Sequence, residues 1–122
     1  MTDIWSATVT RIGDDAPEMF DAGCYILFGE PVPDALADVS IVHDGAGQAA
    51  EVRPGDDFWI GEERFTVAEV GERANANLAE LGHVVVYANQ PDQKLLPGAV
   101  KAAGDGVPMP LPGLTLRFTR GE

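Results

Sequence analysis

Cysteine is nearly absent from this 122-residue sequence: Cys24 is the single example, so no disulfide can form within the chain. Its neighbours in AGCYILF are mostly apolar, where a free thiol packs as a small apolar group, and this usage fits a reducing compartment. The start, MTDIWSATVT, lacks the basic and apolar parts of a secretory signal, and no apolar run reaches the ~20 residues that cross a bilayer. We therefore expect a cytoplasmic protein without direct membrane insertion.

Basic residues are also scarce, with 8 Lys and Arg against 20 Asp and Glu and a formal net charge of -12. Nucleic acids and anionic lipid surfaces need clustered basic side chains for affinity, so both are poor partners for this chain. A basic protein partner is a better match, because opposite fields speed encounter. The other explanation is that the acidic charge serves solubility or adaptation to a salty cytoplasm.

Several motifs that carry chemistry are missing. The sequence has no Cys or His pair at zinc spacing, no Gly-Lys-Ser/Thr phosphate loop, no glycine fingerprint between a strand and a helix, and no Gly-x-Ser-x-Gly elbow. These absences argue against a zinc site, a nucleotide cofactor site and that class of hydrolase.

What is present is mostly a period of two. The segment IWSATVTRIG alternates Trp5, Ala7 and Val9 against polar residues, CYILFG is a continuous apolar strand, and SIVH, HVVVYA, LLPGAVKAAG and LTLRFTR supply further strands. RPGDDFWIGEERFTVAEVG predicts a hairpin that turns at Gly61-Glu62. The chain shows no repeat and no interdomain linker, so we expect one domain over residues 1–122.

One helix is predicted, over residues 74–81. Ala74, Leu78 and Leu81 recur at helical spacing, and Gly82 follows where a left-handed C-terminal cap would lie. DDAPEMFDAG and EPVPDALADV each have room for a helical turn. About eight short strands with one short helix predict an all-β fold, a small antiparallel barrel or sandwich.

Histidine occurs twice, and His43 lies at the end of SIVH, just before the Asp44-Gly45 turn. Val39 and Ile41 share its face of the strand, so the ring is expected where an apolar face meets solvent, walled on one side yet reachable. A neutral imidazole has one lone-pair nitrogen that serves as nucleophile or ligand. The other nitrogen needs an acceptor: Asp44 is adjacent, but neighbours on an extended strand point oppositely, so a backbone carbonyl or the second histidine is an equal candidate.

His83 follows the predicted helix cap and opens HVVVYA. For either histidine, the structural alternative is a ring hydrogen-bonded at a sheet edge. A divalent metal site built from both histidines and several carboxylates is a third possibility, but no spacing in the sequence specifies one.

At these residues the sequence resembles the glucitol/sorbitol-specific enzyme IIA family of the bacterial sugar phosphotransferase system. The similarity runs through TRIG, ILFGEPVPDALADVSIVH, VAEVGERANANLAELGHV, LPGAVKAAG and PGLTLRF, in this order and over nearly the whole chain. The order and the intervals of these segments carry the resemblance, more than any one of them.

The resemblance implies a β-barrel-like fold without cofactor, in which His43 is the position that becomes phosphorylated. It also implies two partners: the histidine phosphocarrier protein as donor, and the IIB and IIC components of a sugar permease, whose IIB cysteine receives the group. By analogy with IIA proteins of unrelated fold, His83 is a candidate for a supporting role. The small residues Gly45, Ala46 and Gly47 are expected to let a partner approach and to offer backbone N–H groups to the phosphate.

Overall fold

A computed structural model describes residues 2–45, 48–106 and 108–121 of the chain. Ala46 and Gly47, two of the three turn residues expected to face a phosphate, lie outside the described residues. The strands within these ranges are β1 (Thr2–Ile12), β2 (Cys24–Gly29), β3 (Ile41–His43), β4 (Asp57–Ile60), β5 (Glu63–Val70), β6 (Val84–Ala88), β7 (Ala99–Gly104) and β8 (Thr115–Arg120). The helices are α1 (Ala16–Asp21), α2 (Asp34–Ala37) and α3 (Ala74–Leu81).

The eight strands form a closed barrel in the order β1-β3-β2-β6-β7-β5-β4-β8, and β8 pairs with β1 to complete it. The all-β prediction is confirmed, and closure decides between barrel and sandwich in favour of the barrel. Closure also removes the free sheet edges that would otherwise present unpaired backbone groups. The core is made of apolar side chains, the largest being Trp5, Phe20, Tyr25, Phe58, Phe65 and Phe118.

The prediction of an antiparallel barrel is wrong for two of its strand pairs. β2 pairs with β3, and β6 with β7, in parallel, while the other pairs are antiparallel. A parallel pair needs a crossover long enough to return the chain to the same end of the sheet. Residues 30–40, which include α2, and residues 89–98 provide these crossovers.

The predictions that depend only on residues close together in the sequence are confirmed. Trp5, Ala7 and Val9 alternate as buried residues along β1, and β4 and β5 form the predicted hairpin. The two segments with room for a helical turn become α1 and α2, so the chain has more than the one helix predicted. No helix within the described ranges combines the length and apolar character of a membrane span.

Helix α3 has the predicted bounds and the predicted end. Ala74 and Leu78 are its buried residues, and Gly82 caps it in the left-handed region at φ +63°. A glycine is favoured at this position because side chains are strained there. The cap turns the chain into β6 and leaves the carbonyl of Gly82 facing the barrel end where His43 lies.

The barrel contains a structural repeat that is not evident from the sequence. The series β1, α1, β2, β3 is followed by an equivalent series β5, α3, β6, β7 with the same strand senses. Gly13 N–H donates to Ser40 O at 3.0 Å after β1, and Gly71 N–H donates to Ala99 O at 2.7 Å after β5. The expectation of no repeat is therefore wrong for the backbone: its two halves share geometry more than residue types.

Candidate functional site at the end of strand β3

His43 is the last residue of β3, between Gly29 of β2 on one side and Val9 of β1 on the other. Its side chain is completely buried, with 0% of its surface exposed. The prediction of a reachable ring is wrong for the structure described here. The residue pattern of β3 indicates only which face of the strand the ring is on, whereas in the closed barrel Asp44 and Gly45 fold back over the ring.

The fold-back is held by β1. Asp44 N–H donates to Thr8 O at 3.1 Å, and Thr8 N–H donates to Asp44 Oδ1 at 2.8 Å. These two bonds bring Gly45 onto the strand so closely that a Cβ built on it would lie 2.5 Å from the Cβ of Ala7. A glycine here allows the chain to cover the imidazole.

Both ring nitrogens of His43 have backbone partners, and these partners determine the tautomer. Nε2 lies 2.8 Å from Gly82 O, and because a carbonyl can only accept, Nε2 carries the proton and donates. Gly45 N–H donates to Nδ1 at 3.0 Å, so Nδ1 has the lone pair. Of the three candidate acceptors, the backbone carbonyl holds the ring, whereas Asp44 Oδ1 accepts from Thr8 N–H and His83 bonds Leu27 O.

Burial lowers the pKa of His43 below its ordinary value of 6.5, because a charged imidazolium loses its hydration inside the barrel. The hydrogen bond to Gly82 and the carboxylates of Asp44 and Glu30 oppose this effect without reversing it. The ring is therefore neutral at neutral pH, with a lone pair at Nδ1.

This lowered pKa predicts a pH dependence of folding. The unfolded chain binds a proton at His43 more readily than the folded chain does, so this contribution is complete above pH 6.5 and is lost as pH falls below it. The loss for one proton is at most about 1.4 kcal/mol per pH unit. Urea unfolding from pH 8 to pH 5 measures it, and His43→Gln should show a shallower slope. Equal slopes in the two proteins would contradict the lowered pKa.

Trp5 is a neighbour of His43 that the sequence reasoning missed, since it counted this residue only as part of the apolar face of β1. The two ring centroids lie 5.0 Å apart with the planes at 85°, an edge-to-face contact. No local signal in the sequence could identify it, because the contact depends on the pairing of β1 with β3 across more than thirty residues.

His83 lies just before β6 and is half-buried. Its Nδ1 is 2.9 Å from Leu27 O and must donate to it, and its ring packs on Phe28 with centroids 4.6 Å apart. Phe28 points to the face of β2 opposite to Gly29, which pairs with His43. No hydrogen bond or ring contact within the described ranges joins the two histidines.

An open groove of about 320 Å³ lies beside the buried imidazole. Three of its lining residues, Gly29, Gly45 and Gly82, are also the glycines that surround the His43 ring, and Glu30 and Glu80 add two carboxylates. A Cβ built on Gly82 would lie 2.7 Å from His43 Cε1, and one built on Gly29 would lie 3.3 Å from it. At these glycines, backbone that lines the groove also contacts the ring.

The described ranges contain no group of three or more His, Cys, Asp or Glu side chains placed to hold a metal ion. The two histidines of the metal hypothesis lie on opposite faces of the sheet, each with a ring nitrogen on a backbone carbonyl. These positions give no support to a shared metal site.

This chain is similar to known proteins in both sequence and fold. The family model described as the PTS system glucitol/sorbitol-specific IIA component matches residues 4–117. The glucitol/sorbitol-specific EIIA components of Shigella flexneri and Escherichia coli K12 are each 35% identical over 121 residues, covering 97% of this chain and 96% of theirs. A crystal structure of a PTS system IIA component from Enterococcus faecalis V583 superposes with a TM-score of 0.75 at 25% identity, covering 93% of this chain and 98% of that one.

Sequence, fold and length thus agree over nearly the whole chain, which belongs to the glucitol/sorbitol-specific IIA component family of the PTS.

Proposed function

We propose that this protein is a cytoplasmic phosphocarrier that accepts a phosphoryl group on His43. The donor is the histidine phosphocarrier protein, and the acceptor is the cysteine of a separate IIB component of a glucitol/sorbitol-type permease. Family membership supports the role. The observation that carries the assignment to His43 is its neutral ring, with the proton held at Nε2 by Gly82 O and the lone pair at Nδ1.

The transfer needs little more than this arrangement. The Nδ1 lone pair attacks phosphorus as the P–N bond of the donor's phosphohistidine breaks, and the bonding electron pair leaves with the donor's nitrogen. The proton stays on Nε2, where Gly82 O stabilises the positive charge that the ring acquires. Onward transfer breaks the new P–N bond, and the IIB thiolate forms a P–S bond.

Nδ1 is the better of the two nitrogens because of what each one faces. A phosphoryl group on Nε2 would lie against Gly82 O, an acceptor that repels its oxygens. A group on Nδ1 would meet Gly45 N–H, a donor. Gly45 N is only 3.0 Å from Nδ1, which leaves no room for a phosphorus atom between them, so Gly45 must move outward before transfer. The same N–H can then donate to a phosphoryl oxygen.

The fold itself does not require an imidazole at this position. In the repeat, the bulged pairing of β1 with β3 corresponds to that of β5 with β7, and the residue equivalent to His43 is Ala102. Ala102 is also buried, so an alanine serves the architecture equally well there. A buried histidine that the barrel can do without favours a chemical role over a structural one.

The negative charge around His43 favours a donor protein with a basic surface. The groove beside His43 carries Glu30 and Glu80, and the chain as a whole has a net charge of -12. A donor with a basic rim around its own histidine would be steered to this surface and would bind it briefly.

We propose that His83 supports the site indirectly. Its hydrogen bond to Leu27 O anchors the start of β6 to β2, and β2 is the strand that also carries Gly29.

The complete burial of His43 favours a second candidate function. A ring with no exposed surface and both nitrogens bonded is also what a non-catalytic barrel would have if it kept the fold and bound a protein or sugar ligand. The two functions differ in whether the ring ever accepts phosphate.

The deciding experiment incubates the protein with phosphoenolpyruvate, enzyme I of the phosphotransferase system and the histidine phosphocarrier protein. We expect an acid-labile mass gain of one phosphoryl group, about 80 Da, and a ¹⁵N spectrum that places the phosphorus on Nδ1 of His43. Omission of enzyme I is the control. A folded protein that gains no mass in the complete mixture would support the binding module instead, and a phosphorus on Nε2 would overturn the choice of nitrogen.

A further inference from the structure

The indole nitrogen of Trp5 has no partner. Within the described ranges, Trp5 Nε1 is the one buried side-chain nitrogen or oxygen without a hydrogen bond. Trp5 is only 3% exposed, so its indole N–H is shielded from bulk solvent. A buried N–H without an acceptor is costly and uncommon in a folded protein, and such an exception calls for an explanation. The other tryptophan is the ordinary case, since Trp59 Nε1 donates to Thr119 Oγ1 at 2.9 Å.

Trp5 lies beside the proposed phosphoryl acceptor, His43. Trp5 packs edge-to-face against His43, and a Cβ built on Gly45 would lie 3.1 Å from Trp5 Cζ2. Cζ2 is bonded to Cε2, the ring carbon that carries Nε1, so the nitrogen-bearing edge of the indole faces Gly45. Gly45 is the residue whose N–H covers His43 Nδ1.

We propose that Trp5 Nε1–H donates a hydrogen bond to an oxygen of the phosphoryl group carried on His43 Nδ1. This rests on the proposed function. The P–N bond forms from the Nδ1 lone pair while the donor's P–N bond breaks and its electron pair leaves with the donor's nitrogen. The proton stays on Nε2, hydrogen-bonded to Gly82 O, and Gly45 moves away from Nδ1. The oxygens that arrive in its place are the acceptors that Trp5 lacks in the unphosphorylated protein.

The electrostatics of the site make such a donor useful. The charged groups that act on the His43 ring are the carboxylates of Asp44 and Glu30, which repel a phosphoryl dianion. Neutral N–H donors in a dry site can stabilise the dianion in their place. A site built from the N–H groups of Trp5 and Gly45 would hold the phosphoryl group without trapping it, as a carrier requires.

An NMR experiment on the wild-type protein tests the proposal. The two indole N–H signals are assigned with Trp59→Phe, and ¹H–¹⁵N spectra are recorded before and after phosphorylation by phosphoenolpyruvate, enzyme I and the phosphocarrier protein. We expect the Trp5 indole proton to move downfield, as for a donor to a charged acceptor, while the Trp59 signal stays in place. An unmoved Trp5 signal in a protein whose His43 is phosphorylated overturns the proposal and leaves the proposed function intact. Absence of phosphorylation overturns both.

A variant supplies the functional measurement. Trp5→Phe keeps an aromatic ring beside His43 but removes the N–H, and it should shift the phosphotransfer equilibrium toward the donor by roughly ten-fold, the value of a hydrogen bond to a charged group. Trp59→Phe is the matched control and should leave the equilibrium unchanged. An unchanged equilibrium in Trp5→Phe counts against the proposal, and the wild-type spectra decide the matter if this variant does not fold.

Discussion

Replacing His43 by glutamine should abolish the phosphoryl mass gain completely. Glutamine is close to histidine in size and offers an amide N–H that can donate to Gly82 O as Nε2 does. Its amide oxygen can accept Gly45 N–H, but neither atom of the amide is a nucleophile toward phosphorus at neutral pH. The change therefore removes the chemistry and keeps the hydrogen-bonding capacity, so the variant should fold.

The measurement is intact-mass spectrometry after incubation with the complete donor system, with circular dichroism to verify folding. His83→Gln is the matched control, because its ring is on the other face of the sheet and contacts Phe28. We expect the control to keep the mass gain. A full gain in His43→Gln would show that another residue accepts the phosphate, and the assignment would be lost.

The parts of the fold that could be predicted are those determined by residues close together in the sequence. Helix α3 and its cap at Gly82 were predictable because helical spacing and a following glycine describe the same local geometry. The β4–β5 hairpin was predictable because its turn, Gly61-Glu62, links two apolar runs directly.

Strand sense and the backbone repeat were not predictable in this way. Whether β2 and β3 pair in parallel depends on how residues 30–40 cross between them. The residue pattern within a strand does not show in which direction its neighbour runs. The two halves of the repeat place different residues at equivalent positions, such as His43 and Ala102. Their likeness is carried by backbone geometry, which composition and periodicity do not record.

The candidate site also has a part that was predictable from neighbouring residues and a part that depends on distant contacts. His43 was identified from its position at a strand end and from the resemblance, but its exposure was misjudged because burial depends on the return of Gly45 onto β1. The partners of its ring come from three separate places in the chain: Trp5, Gly45 and Gly82. If His43 is the phosphoryl acceptor proposed above, its burial requires that access to the ring be created when a partner binds. Gly29 and Gly82, which approach the ring closely, are part of the backbone around it.

Gly82→Ala should destabilise the protein through two separate effects. Gly82 has φ +63°, where a side chain costs about 1–2 kcal/mol. An added Cβ would also lie 2.7 Å from His43 Cε1 and 3.0 Å from the Cα and N of Gly29, so the ring or the backbone must shift. Overpacking of this kind adds about 1–3 kcal/mol.

Gly61→Ala separates these two effects. Gly61 has nearly the same φ, +59°, but a Cβ there would meet only the flexible side chain of Leu114, at 3.3 Å. Urea unfolding should show the backbone cost alone in Gly61→Ala and a loss larger by about 1–3 kcal/mol in Gly82→Ala. Phosphoryl acceptance by His43 should fall in Gly82→Ala and persist in Gly61→Ala, because only the first methyl reaches the imidazole. Equal losses of stability in the two variants would mean that Gly82 does not hold the ring as tightly as these distances require.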